Sequence, residues 1–151
     1  MIFLSLSGCA AVKGLHAKKE SRESLVRAQR LFEQGEYEGS LKENQKVLAF
    51  SNDVPPGDEA LFHTAIIYAH VGYPKRDNKK SLDLFMRLVK KFPRSPWTKQ
   101  AEIWIGILRE NERLYRENER LYREVEELNQ TLKKSKEVDI EINKKKKELA
   151  Q

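Results

Sequence analysis

Seven residues, Asn-Glu-Arg-Leu-Tyr-Arg-Glu, run from Asn111 to Glu117 and return unchanged from Asn118 to Glu124. A heptad repeat leaves little choice of fold. Positions seven apart fall almost on one line of an α-helix, whereas a strand repeats every two residues. With Leu114, Leu121 and Leu128 at d and Ile107 one step before, the a positions hold Asn111, Asn118, Val125 and Leu132, with Trp104 ahead of them. Leu at d with Asn at a is the pattern of parallel two-stranded coils, in which the buried amide gives up stability to fix register and strand number. The predicted coiled-coil seam is therefore Ile107, Asn111, Leu114, Asn118, Leu121, Val125, Leu128 and Leu132, flanked by Tyr115 and Tyr122 at e. Beyond Leu132 the pattern decays, because Ser135 and Asp139 take core positions; Val138, Ile142 and Leu149 suit a shifted or frayed register. As one helix, residues 101–149 span roughly 70 Å at about 1.5 Å per residue. Lys144–Lys147 near its end suit the negative pole of the helix dipole. The alternative is a single charged helix folded back on the rest of the chain, for which two successive Asn at a are poor choices against an apolar groove.

Upstream the period is also helical. Leu25, Ala28, Leu31 and Phe32 recur at three- and four-residue steps, so they share a face. Gly35-Glu36-Tyr37 interrupts that helix, and a second carries Ser40, Leu41, Asn44, Val47 and Leu48. Ser51 to Asp58, with Pro55, Pro56 and Gly57, reads as a loop ending in an Asp58 N-cap. The plan then returns. Ala60, Leu61, Thr64, Ala65 and Tyr68 make a first helix, Val71–Asn78 a turn, and Ser81, Leu82, Phe85, Leu88 and Val89 a second helix that stops at Phe92-Pro93. Ser40-Leu41 aligns with Ser81-Leu82, and Ala28 with Ala65, which makes the second turn longer than the first. A third first-helix follows Ser95-Pro96, with Ala101, Ile103, Ile105 and Gly106 matching Ala60, Phe62, Thr64 and Ala65.

This arrangement resembles the tetratricopeptide repeat. Ala28, Ala65 and Gly106 take that family's small crossing position, Gly35 and Tyr37 its Gly-x-Tyr turn, and Pro93 its closing proline, over about residues 21–108. The run Phe92-Pro93-x-Ser95-Pro96 followed by Ala101 is similar to repeats of small Gram-negative outer-membrane lipoproteins, the BamD-like and QseG-like proteins. The resemblance implies an all-α fold: a short tetratricopeptide-like stack of helical hairpins continuing into a long C-terminal coiled-coil helix. It implies that first helices line a concave, partner-binding groove, which by position nominates Arg22, Gln29, Phe62, Ile66, His70 and Ile103. Phe62, Ile66 and Ile103 also read as inter-repeat core. The Tyr73-Pro74-Lys75-Arg76-Asp77 loop is a further candidate for the interface.

The chain opens Met-Ile-Phe-Leu-Ser-Leu-Ser-Gly-Cys, a short apolar stretch ending in small residues, as secretory signals do. Leu6-Ser7-Gly8-Cys9 resembles the bacterial lipobox. That resemblance implies lipidation of Cys9 and, with Ala10 rather than Asp after it, sorting to the outer membrane on its periplasmic face; several acyl chains together anchor a protein stably. No charged residue precedes Cys9, so the expectation is a truncated signal over 1–9 whose start lies upstream. The alternative is an ordinary initiator segment and a cytoplasmic protein. Residues 10–20 lack an apolar stripe and read as a tether, 21–108 as the repeat domain, and 109–151 as the coil with its basic tail.

Composition narrows function further. The net charge is +6, but Lys144–Lys147 supply much of it, and no basic stripe with stacking aromatics marks a nucleic-acid surface. The basic tail leaves room for attraction to anionic lipid. One cysteine rules out an internal disulfide and a multi-cysteine metal site. His63 and His70 lie seven apart with no Cys nearby, which favours ordinary histidines over a metal pair. Ser residues lack the partners for nucleophilic catalysis, and no Gly-rich phosphate loop occurs. The expectation is a non-catalytic adaptor or scaffold without cofactor or metal. It binds a protein partner in the cell envelope, in outer-membrane assembly or signalling, with a homodimer through the coil as a further possibility; the alternative is a cytoplasmic coiled-coil assembly factor without a lipid anchor.

Overall fold

The structure, a computed structural model, describes the backbone of residues 8–150 and the side chains of residues 18–150. It is all-α, with α1 (Gly8–Glu33), α2 (Tyr37–Phe50), α3 (Gly57–Ala69), α4 (Asn78–Lys91) and α5 (Thr98–Leu149), and no strand among the described residues. The segment 10–20, read above as a tether, has helical backbone within α1. A helix needs no apolar stripe to form where Ala, Lys and Glu dominate, since these are strong helix formers. The chain divides into two units, one ending at Arg109 and one beginning at Glu110.

In the first unit α1 pairs with α2, α2 with α3, and α3 with α4, each helix packing on its neighbour in sequence. One device closes both hairpins. The buried Ser40 hydroxyl donates to the Ala28 carbonyl at 2.7 Å, and the buried Ser81 hydroxyl donates to the Ala65 carbonyl at 2.7 Å. Ala28 is 2% exposed and Ala65 0%, so the helices cross where neither side chain extends past Cβ. The serine-to-alanine separation is 12 residues in the first hairpin and 16 in the second. The connection between the bonded residues is thus four residues longer in the second hairpin, as the alignment of Ser40 with Ser81 requires.

The turns have separate physical causes. Gly35 ends the first helix at φ +77°, a left-handed conformation that costs other residues about 1–2 kcal/mol. In the second hairpin the Asp77 carboxylate accepts from the Lys80 backbone N–H at 2.8 Å and caps α4. Asp58 does not cap α3; it sits inside the first turn, buried, and its carboxylate accepts from the Ser95 hydroxyl at 2.6 Å. The helix starts two residues earlier than an Asp58 N-cap would place it, with Pro56 at the N-cap and Gly57 as its first residue, where the backbone passes against Ser51. A Cβ on Gly57 would lie 1.6 Å from the Ser51 carbonyl oxygen.

The largest core cluster joins α3, α4 and the first turns of α5: Leu61, Phe62, Ala65, Phe85, Leu88, Phe92, Ala101 and Leu108. Trp104, expected at a coiled-coil a position, packs against this core, its ring stacked on Phe85 at 6.1 Å and 8°. Gly106, expected as a small crossing residue, meets nothing, for a Cβ there has no atom within 4 Å. A small residue matters only where a partner helix crosses, and no helix follows α5 among the described residues.

In the second unit the residues from Glu110 to Leu149 continue as helix, with Leu114, Leu121, Val125, Leu128 and Leu132 all exposed. Ion pairs line its other faces: Arg113 with Glu110 at 2.7 Å and Glu117 at 3.2 Å, Arg116 with Glu112, and Arg123 with Glu119 at 3.8 Å. No helix among the described residues is long and apolar enough to cross a membrane.

Candidate functional site

A groove of about 390 Å³ opens in the first unit between α1, α3 and the start of α5. Its floor is Ala28, Phe32, Ser40, Phe62, Ile66, Ile67 and Trp104; Gln29, Glu33, His63 and Gln100 stand around it. Each element places its side chains by helical phase. On α3, Phe62 and Ile66 stand four residues apart on one face with Ile67 beside them, and on α1 the pairs Ala28–Phe32 and Gln29–Glu33 stand four apart. A neighbouring hollow of about 480 Å³ shares Gln29 and adds Arg22, Leu25, Val26, Glu59, Pro96 and Trp97. Together they follow α1 from Arg22 to Glu33, roughly 16 Å at about 1.5 Å per residue. That length fits three turns of a docked helix or about five residues of an extended strand.

The polar groups at this surface are tuned by burial. His63 lies against the Trp97 ring at 5.3 Å and edge-on to Phe62 at 5.8 Å. Burial pushes its pKa below the usual histidine value, which keeps the imidazole neutral at neutral pH. Glu59 is 3.8 Å from His63, too long for a firm pair, and its own carboxyl is pushed up, first by burial and then by the Asp58 charge, against the pull of Arg22. Gln29 donates to Glu33 at 3.1 Å along one helix.

The structure gathers some of the nominated residues and separates others. Gln29, Phe62 and Ile66 line the groove, and Arg22 lines its neighbour. Phe62 is also core, 6% exposed, so it serves both readings. Ile103 is not in the groove; it is 63% exposed, because Trp104, one residue on, takes the inward face of α5. His70 is not there either. It lies just past the end of α3 with extended backbone, and its Nδ1 accepts from the Gly72 N–H at 3.1 Å with the Tyr37 hydroxyl 2.9 Å away. The hydroxyl and imidazole thereby tie the first turn to the second. The Tyr73–Asp77 loop is likewise committed internally. Tyr73 is 5% exposed and donates to Glu38 at 3.1 Å, while Lys75 pairs with the same carboxylate at 2.7 Å. Burial and that carboxylate push the Tyr73 hydroxyl up to about 12.

Phe32, Glu33, His63, Gln100 and Trp104 were not foreseen at the groove. Their signal was present in part, since Trp97, Ala101, Trp104, Ile105 and Leu108 follow a helical stripe. Among the described residues no three or more His, Cys, Asp or Glu side chains are grouped to hold a metal ion. The side chain of Cys9 lies outside the described residues. No family model, curated protein or solved structure matches the chain.

Proposed function

We propose that this chain is a non-catalytic adaptor of the tetratricopeptide type, held by lipid on Cys9 at the periplasmic face of the outer membrane, that captures a protein partner in the groove between α1, α3 and α5. The single observation that carries the reading is the groove itself: a largely apolar floor bordered by amides and the Glu33 carboxylate, lined by α1, α3 and the start of α5 with Ser40 of α2. An apolar floor takes up side chains of a partner segment, and the bordering Gln29, Gln100 and Glu33 offer hydrogen bonds to its backbone and polar groups. The recurring Ser-to-Ala carbonyl bond supports the repeat assignment, and Leu6-Ser7-Gly8-Cys9 supports the anchor. Among the polar groups around the groove, His63 is wedged between the Phe62 and Trp97 rings, which suits recognition better than proton transfer.

The anchor is tested in the native host by expressing the full open reading frame, upstream codons included, with and without Cys9→Ala, under palmitate labelling and membrane fractionation. Labelled, membrane-bound wild type and unlabelled, soluble mutant is the expected result. Unlabelled, soluble protein in both cases would overturn the anchor and leave the cytoplasmic assembly factor as the better reading.

A further inference from the structure

The outer half of α5 presents an apolar stripe that is left exposed among the described residues. Leu114 is 43% exposed, Leu121 45%, Val125 54% and Leu128 63%. The residues beside that stripe decide what covers it. Asn111 and Asn118 interrupt it at a, glutamates stand at g (Glu110, Glu117, Glu124), and Tyr115 and Tyr122 stand at e. Arg113, Arg116 and Arg123, at c and f, are engaged by glutamates of their own helix.

We infer that the stripe is closed by a second copy of this chain, parallel and in register, giving a homodimer. In that arrangement a meets a′, d meets d′, and g of one helix meets the following e of the other. Asn111 then faces Asn111 of the second copy and Asn118 faces Asn118, so each buried amide has a donor and an acceptor opposite it. Leucine faces leucine. Glu110 and Glu117 meet the tyrosine hydroxyls of residues 115 and 122, which donate to them.

Every other pairing of two copies is worse. Antiparallel helices set a against d′, which buries both amides against leucine, and set g against g′, which brings glutamates together. A buried amide without a partner costs about 1–3 kcal/mol. A parallel slip of one heptad, which an unchanged seven-residue repeat would otherwise invite, pairs Asn111 with Asn118 but leaves the other Asn118 facing Val125. Two consecutive asparagines therefore select zero slip. The pairing belongs to residues 107–132 and stands independently of the groove reading.

The test uses the full chain carrying Cys9→Ala, so that an introduced cysteine is the only thiol. Sedimentation equilibrium is expected to give twice the chain mass, and Leu114→Cys to form a d–d′ disulfide with itself on oxidation. A tagged Leu114→Cys chain mixed with Val125→Cys is expected to give no mixed disulfide, since those positions meet only in antiparallel helices. Leu121→Glu is expected to yield the single-chain mass while the emission of Trp97 and Trp104 stays unchanged. A single-chain mass without the Leu121→Glu change, a dominant 114–125 disulfide, or a dimer that survives Leu121→Glu with unchanged emission would each overturn the proposal.

Discussion

Asn44 shows how a residue can sit on the right face with the wrong chemistry. Its side chain is 0% exposed on α2, and neither amide atom finds a hydrogen-bond partner among the described residues. Leucine has the same branched heavy-atom skeleton without the polar atoms, so Asn44→Leu is expected to stabilise the fold by about 1–2 kcal/mol, measured by urea unfolding. His63 makes a second prediction, with a sign. Its folded pKa lies below 6.5, so the unfolded chain binds the proton more readily. Stability is therefore full above pH 6.5 and is lost as pH falls through the interval down to the lowered value. Glu59 acts oppositely: its raised pKa makes the fold hold a proton more tightly, and that contribution fades as pH rises from 4.5 through the raised value. Urea midpoints for wild type and His63→Gln, compared on either side of pH 6.5, should show the acid-side loss in wild type and a flatter profile in the variant. The polar stripe position of Asn44 was legible in the sequence, but its missing partners were not. Period assigns a face, and satisfaction depends on which atoms of other helices arrive there.

Among the elements, the hairpins were the most legible part. Aligning Ser40 with Ser81 and Ala28 with Ala65 anticipated the longer second turn, and the structure joins the aligned residues by two equivalent hydroxyl-to-carbonyl bonds that the alignment did not foresee. What ties the turns down was not legible. Asp77 lies four residues before Ser81 in a segment read as loop, yet its carboxylate caps α4. Asp77→Ala is expected to cost about 1 kcal/mol, while Asp77→Asn, which keeps the acceptor, should cost much less by the same urea titration. Helix α5 shows why face and partner must be distinguished. Ala101, Trp104 and Leu108 turn to the core, while Ile107, one position from Leu108, is 45% exposed and leads into the seam. Neighbouring helix positions point about 100° apart, so one helix carries two apolar stripes. Reading Trp104 with the heptads missed its place in the core, and reading Ile103 with the groove missed its exposure on the opposite side.

For the whole molecule, the groove was half legible. Gln29, Phe62 and Ile66 were nominated by their place in successive first helices, and they do line one concavity. His70 and Ile103 were nominated by the same rule and lie elsewhere, because α3 ends at Ala69 and α5 enters with Trp104 inward. Extending the rule to α5 needs the angle at which it meets α3, and that angle is set by the aromatic packing of Phe62, Trp97, Phe85 and Trp104. The proposed function requires that this concavity receive a partner protein. The most direct measurement places a photo-reactive phenylalanine analogue at Ile66, or at the exposed Lys42 on α2 as control, in the full chain within its native host. After irradiation, crosslinking of one envelope protein from position 66, absent from position 42 and lost when Gln29→Arg crowds the groove, is the result expected. Identical products from both positions, or none from position 66, would contradict the account.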